Sequence, residues 1–376
     1  MIMNLDNNYK KTKIAIMSVA DILNYGDTLF SFVARQEILK RLPNAEFRFF
    51  TPTSSVIEGE TFYGYTRENL EIFKPTAILV IGGEVIHKYD KVVWHEMYKN
   101  INKPILSDNV SDTFFDWLDY PCFKAWFSVG VLYFNDGNKI DLTNLNKLNY
   151  IGVRGILSKK NLELNLLTSN SKIKMVPDIG WLFNRYFSDY KMQLDTLEKN
   201  LGLSILDKKY VVFNINHTSI QKHEIEKVKN ILNNFAIDHD CYIFLLPIIK
   251  SYKDTEDLIG FKASHIFLLP DNLSLKETGA LLMGAWFYIG SSLHAAITTM
   301  SNFKNAAIIH DVQLTKFQDH FAHSMRIDFW DNNWLNIGTI LEKLKETPLL
   351  SLKKYAEYMF ITIDEKLDEL CNILSS

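Results

Sequence analysis

Apolar residues come along this chain in short unbroken runs, separated by amphipathic stretches. In the first half the runs are KIAIMSV (Lys13 to Val19), EFRFF, AILVIGG (Ala77 to Gly83), FKAWFSVGV, NYIGVRG and KIKMVPD. In the second half they are YVVFNIN (Tyr210 to Asn216), CYIFLLP, HIFLLP, FYIG and NAAIIH. Short continuous runs of this kind fit strands covered on both faces. Between them, DTLFSFVARQEILKRL (Asp27 to Leu42) sets Leu29, Phe32, Val33, Ile38 and Leu42 at helical spacing. SKKNLELNLL reads as a helix with Ser158 as its N-cap. In the second half a helix is predicted from about Ile220 to Phe235. SLKETGALLMGAW opens with a capping box, Ser274 with Glu277 three residues on. SSLHAAITTM follows FYIG directly, and the tail from about Trp334 to Ile373 is mostly helical in composition.

Strand and helix alternate through both halves, which predicts two α/β domains with parallel sheets. A length of 376 residues agrees with two cores rather than one. The polar stretch from Asp189 to Lys208 suggests the boundary, giving domains over 1–190 and 191–376. Ligands of such sheets bind beyond the carboxyl ends of the strands, so the cleft between the domains is the expected site.

Composition narrows the function classes. A net charge of −3 argues against a general nucleic-acid binder. Aromatic residues reach 13%, a rich share that suits deep cores or a cleft that stacks sugars. Cys122, Cys241 and Cys371 are far apart and form no C-x-x-C, which fits a reducing cytoplasm and neither a zinc ribbon nor a redox pair. The N-terminal residues have no apolar core of the signal-peptide kind, and no run of 18 apolar residues occurs.

Candidate chemistry sits at strand ends. In GSSLH a strand ends at Gly290, and Ser291 and Ser292 open a helix that carries His294 in its first turn. Backbone amides at a helix start attract phosphate or carboxylate, and histidine is the usual proton-transfer group near neutral pH. The same residues also fit a plain cap with a packed histidine. NYGD offers Asn24, Gly26 and Asp27, where Gly26 permits a tight turn and Asp27 a helix cap. Gly82 and Gly83 bare the backbone at another strand end, with His87 nearby, and Arg154 ends a third strand with a fork suited to carboxylate or phosphate. The histidines include no H-E-x-x-H pair. His320 and His323 share a helix face but have no third ligand, so no metal site is predicted. There is no G-x-G-x-x-G, no P-loop and no G-x-S-x-G elbow.

Taken in order, NYGD, AILVIGGE, IGVRGILSKKNLE, MVPDIGWLF and LMGAWFYIGSSLHAAI resemble the motifs of the polysaccharide pyruvyl transferase family, over about Lys13 to Arg326. The resemblance implies two Rossmann-like domains similar to the GT-B glycosyltransferases, the first on the acceptor side and the second, with the helical tail, on the donor side. It implies a cytoplasmic enzyme that uses phosphoenolpyruvate as donor substrate, needs no cofactor, and builds a cyclic pyruvate ketal on a sugar. His294 falls on the family's catalytic histidine, Arg154 on its donor-binding arginine and Lys316 on its donor-binding lysine. Ser291 and Ser292 join the donor side at the helix start, and Asp178 matches the acidic residue of the V-P-D segment. One position departs: the family usually has arginine where this chain has Ser292.

The expected mechanism has His294 protonating the enol carbon, after which two sugar hydroxyls attack in turn and phosphate leaves. The acceptor is an expected carbohydrate partner, nucleotide-linked or lipid-linked. A lipid-linked one would bring the chain to the inner face of a membrane. Oligomeric state leaves no mark in the sequence. Two other readings stay open at this point, a GT-B-type glycosyltransferase using a nucleotide sugar and a non-catalytic carbohydrate-binding relative.

Overall fold

The computed structural model describes residues 11–86, 91–103, 119–133, 145–166, 172–187, 189–203, 205–216, 220–310, 315–324 and 330–376. The first-half runs become β1 (Lys13–Met17), β2 (Glu46–Thr51), β3 (Ser55–Ile57), β4 (Glu60–Gly64), β5 (Ala77–Ile81), β6 (Phe123–Val129), β7 (Tyr150–Val153) and β8 (Ile173–Met175). They pair in the order β3-β4-β2-β1-β5-β6-β7-β8. Every pairing is parallel except β3 with β4. The helices of this half are α1 (Tyr25–Arg41), α2 (Arg67–Phe73), α3 (Lys91–Asn100) and α4 (Ile156–Leu166).

After α5 (Phe183–Tyr186) and α6 (Tyr190–Leu201) a second sheet begins. Its strands are β9 (Tyr210–Asn214), β10 (Tyr242–Leu245), β11 (Ile266–Leu268), β12 (Phe287–Gly290), β13 (Asn305–Ile309) and β14 (Trp330–Asp331). All are parallel, in the order β11-β10-β9-β12-β13-β14. Around them lie α7 (Ile225–Asp238), α8 (Asp254–Leu258), α9 (Leu275–Gly284), α10 (Leu293–Ser301) and α11 (Thr315–Ser324). The chain ends in α12 (Ile337–Glu346) and α13 (Leu349–Ser375). Both sheets are doubly wound, so the fold is α/β with parallel sheets of the Rossmann kind, as expected. Each has a switch point where the strand order reverses, at β1/β5 and at β9/β12, and ligands of such sheets bind outside these points.

The two halves are joined closely. Helix α1 is buried on nearly every side, as its run of Leu29, Phe30, Phe32, Val33 and Ala34 requires. It packs on α5, α9, α10, α13 and the turn at Ile179–Leu182. Ahead of it, Tyr25 N–H donates to the Ile248 carbonyl (3.2 Å) and Lys250 N–H to that of Leu23 (3.3 Å). Helix α13 runs back over the first half, where Arg41 meets Asp364 at 2.9 Å and Arg185 meets it at 2.8 Å.

Some local expectations need correction. Ser158 is not the cap of α4, which begins at Ile156; it lies inside the first turn, and its hydroxyl is used across the halves. The polar stretch from Asp189, read as the boundary, holds α6, which packs on α9 and buries Leu194 and Leu197. The capping box of Ser274 and Glu277 is present at α9. His87 and His217 lie outside the described residues.

Candidate active site

The loops after β1, β5, β7 and β8 meet the start of α10 and α11 in one buried cluster. Asn24 is the N-cap of α1, its Oδ1 accepting from Gly26 N–H at 3.0 Å. Asp27, expected as a possible cap, is instead the third residue of the helix, and its carboxyl turns inward. Gly26 lies against His294: a Cβ there would sit 2.0 Å from the imidazole Nδ1. The other wall of that imidazole is Phe30, edge-on with ring centroids 4.8 Å apart and planes at 89°. Phe30 in turn packs where Gly82 has no side chain, since a Cβ on Gly82 would fall 2.3 Å from the ring. Gly82 and Gly83 both have positive φ, 63° and 72°, a conformation glycine adopts at no steric cost. Glycines that read as a ligand mouth thus also make room for the ring that holds His294.

His294 is the second residue of α10. Its Nε2 faces Asp178 Oδ2 at 3.4 Å, a long ion-pair contact. Asp178 Oδ1 accepts from Gly180 N–H at 2.9 Å. Arg154 reaches the same Oδ2 through Nη1 at 3.3 Å. Burial pushes the Asp178 carboxyl up, but the facing imidazole, the guanidinium and the Gly180 amide outweigh it and hold it at about 2. Asp178 is therefore an anion at any working pH.

Arg154 is 2% exposed, yet its Nε and Nη2 have no hydrogen-bond partner. The guanidinium lies over Gly130, where a Cβ would meet Nη2 at 2.5 Å. An unpaired buried donor costs about 1–3 kcal/mol, more when charged. A buried cation with unpartnered donors is a candidate ligand-binding group. Lys316 opens α11 nearby; its backbone N–H donates to Glu84 Oε1 at 3.1 Å. Burial lowers the Lys316 ammonium from its ordinary value, Glu84 and Asp27 pull it back up, and Arg154 pushes it down again. Asp27 completes the set. Burial raises its carboxyl to about 6 against the pull of His294, Lys316 and Arg154.

Ser291 and Ser292 are near the cluster but otherwise engaged. Ser291 Oγ donates to Asn214 Oδ1 at 3.3 Å and its N–H to the Asn214 carbonyl at 3.2 Å. Ser292 caps α10, accepting from Ala295 N–H at 3.4 Å, while its own N–H donates to the Tyr288 hydroxyl at 2.9 Å. The structure therefore brings together Gly26, Asp27, Gly82, Gly83, Arg154, Asp178, His294 and Lys316, with Asn24 shaping the turn. Sequence reading did not find Phe30, Gly130, Glu84 or Asp319. Asp319 of α11 accepts from the N–H groups of Leu157 (2.7 Å) and Ser158 and from the Ser158 hydroxyl, so it caps α4 from the other half. His320 stacks on Trp181 at 5.7 Å. Among the described residues no group of three side chains suits a metal ion.

With this geometry in view, comparisons with known proteins show the fold class, α/β with parallel sheets of the GT-B type. The UDP-GlcNAc 2-epimerase from Methanocaldococcus jannaschii superposes with a TM-score of 0.57 at 12% identity, over 90% of this chain and 93% of that one. The UDP-GlcNAc 2-epimerase from Neisseria meningitidis, solved bound to UDP-GlcNAc, gives 0.53 at 11%, over 94% and 99%. The wall teichoic acid polymerase TagF gives 0.52 at 11%, over 97% and 88%. Within that class, the model of the polysaccharide pyruvyl transferase family matches residues 24–309, and the chain belongs to that family. A comparison with curated proteins finds none that matches it in sequence.

Proposed function

We propose that this protein transfers the pyruvyl group of phosphoenolpyruvate to a sugar of a polysaccharide or its precursor, as a cyclic ketal. The observation that carries this reading is Arg154, buried with two nitrogens, Nε and Nη2, unpartnered among the described residues beside the His294–Asp178 pair. A three-carbon donor with a phosphate and a carboxylate calls for compact positive charge. Arg154 supplies a planar fork and Lys316 a second cation. Ser292 stands where the family usually has arginine, so the positive charge for the donor rests on Arg154 and Lys316.

His294, held by Asp178, is the acid that delivers a proton to the methylene carbon. C2 becomes electrophilic, a sugar hydroxyl adds there, phosphate leaves, and the second hydroxyl closes the ring. A positioned proton transfer contributes roughly 10²–10⁴-fold. The remaining gain comes from holding donor and hydroxyls in reacting geometry. The acceptor is a carbohydrate, carried on a nucleotide or a lipid, and the work is cytoplasmic. A lipid-linked acceptor would be met at the membrane's inner face, and no helix among the described residues is long and apolar enough to cross a membrane.

A nucleotide-sugar donor is the second reading, favoured by the serine at position 292 and by the likeness to an epimerase bound to UDP-GlcNAc. One titration separates the two. A ligand at about 100 times its Kd stabilises the folded state by roughly 2.7 kcal/mol. Phosphoenolpyruvate is expected to raise the melting temperature of the wild type but not of Arg154→Ala. A rise with UDP-sugars and none with phosphoenolpyruvate would reject pyruvyl transfer in favour of the second reading.

A further inference from the structure

The reaction just described takes a proton from each of two hydroxyls and delivers one to the methylene carbon, and His294 accounts only for the delivery. One leaves the first attacking hydroxyl while another arrives at the methylene carbon; later the second hydroxyl gives up its proton to the departing phosphate. A site with one acid and no base would have to route the first hydroxyl's proton through solvent.

Asp27 is placed to receive it. It is 8% exposed, and no hydrogen bond reaches its carboxyl among the described residues. It projects from the first turn of α1, one residue beyond the glycine on which the His294 ring rests. Across from it the wall is bare backbone: a Cβ on Gly83 would lie 3.3 Å from Asp27 Oδ1. The groups that face it come from every side of the site. They are His294 of α10, Lys316 of α11, Arg154 after β7, Asp21 after β1, and Tyr252 from the loop after β10. Asp178, the other carboxyl, is unsuited to the task, because its oxygens are committed to Gly180, Arg154 and His294.

We propose that Asp27 is the general base of the reaction, taking the proton from the attacking sugar hydroxyl while His294 protonates the donor's methylene carbon. The hydroxyl oxygen bonds to C2 as its O–H bond breaks toward Asp27 Oδ, and the C2=C3 electron pair takes the proton from His294. Asp27's proton then passes through solvent to recharge His294, and the second hydroxyl's proton leaves with the phosphate. Two groups with their protonation states set apart by their surroundings divide acid and base work in this way. Burial holds Asp27 at about 6, close enough to neutrality to act as a base and still to be mostly ionised at pH 7.

The inference rests on pyruvyl transfer as the activity, and the test separates the two. Full-length wild type and Asp27→Asn are assayed for phosphoenolpyruvate binding by calorimetry. Phosphate release is then followed with p-nitrophenyl hexosides and UDP-N-acetylglucosamine as acceptor probes, between pH 5 and 9. The expected result for Asp27→Asn is donor affinity within about threefold of wild type, with turnover down at least about 10²-fold. The acidic limb of the wild-type pH profile, rising through about pH 6, should be gone from the residual activity. Adding His294→Ala to Asp27→Asn should cost far less than the product of the two single losses, as groups acting as a unit do. Turnover within tenfold of wild type with the acidic limb intact would overturn the base assignment and leave pyruvyl transfer standing. Failure of the wild type to bind phosphoenolpyruvate would overturn both.

Discussion

The contact between Gly26 and His294 ties the two ends of the family's motif set together. NYGD is a turn and cap by local reading, and it is one: Asn24 caps α1. What local reading misses is why residue 26 has no side chain. The imidazole arrives from the far end of the chain, and periodicity within NYGD carries no trace of it. Gly26→Ala tests this. The new Cβ would lie 2.0 Å from Nδ1, so the ring must leave its seat between Gly26 and Phe30 and break its approach to Asp178. A displacement of about 1 Å in a reacting group can cost about 10²-fold in rate. Turnover is expected to fall by that order while donor binding, which rests on Arg154, changes little. A Gly26→Ala protein with wild-type turnover would remove the packing argument. Ser292 has an equally local role, since serine is among the best N-caps and Ser292 acts as one.

At the scale of elements, the halves hold each other by reciprocal capping. Asp319 of α11 satisfies the first N–H groups of α4, and Glu58 of the β3–β4 turn accepts from Leu275 N–H at the start of α9, at 2.7 Å. Each carboxylate answers a helix start in the opposite half, where orphan donors and the helix dipole favour negative charge. The strands and most helices were legible in the sequence because burial on two faces and helical spacing are written into consecutive residues. These cross-caps were not, and Ser158 was misread for that reason: serine near a helix start suggests a local cap, while its hydroxyl serves a partner from α11. Asp319 sits one turn beyond Lys316, so the anchor of α11 also positions the lysine proposed to bind the donor. Asp319→Ala should therefore do two things. Losing a cap and its buried hydrogen bonds is expected to destabilise the fold by about 1–3 kcal/mol. Donor KM should rise more than kcat falls, because Lys316 loses its register against Arg154. Urea unfolding and donor titration read the two effects separately, and an unchanged unfolding midpoint would show that the cap carries no weight.

For the whole molecule, both switch points face one cleft, and the chain buries an unusual set of carboxyls around it. Asp21, Asp27, Asp254 and Asp319 are all raised by burial, and Asp178 alone is lowered, by its cationic neighbours. Asp254 isolates the consequence for stability, because it lies away from His294 and Arg154. Its Oδ2 accepts from Ile248 N–H (3.0 Å), Ile249 N–H (2.9 Å) and Asn214 Nδ2 (3.3 Å), shaping the loop that bridges to α1, while Oδ1 is unpartnered. Burial raises it to about 6 despite those hydrogen bonds. The folded chain thus binds a proton at Asp254 that the unfolded chain, with an ordinary aspartate near 4, releases. Stability from this residue is full below about pH 4 and is lost as pH rises to about 6, by roughly 3 kcal/mol in all. Asp178 works in the opposite sense, but only between about pH 4 and 2, outside that window. Asp254→Asn keeps an acceptor for the loop amides and cannot titrate. The stability of wild type relative to Asp254→Asn is therefore expected to increase as pH is lowered from 7 to 4.5, in paired urea unfolding curves. A difference that stays flat over that range would mean that Asp254 ionises freely, with water reaching Oδ1, and that the bridge between the halves is wetter than its packing implies.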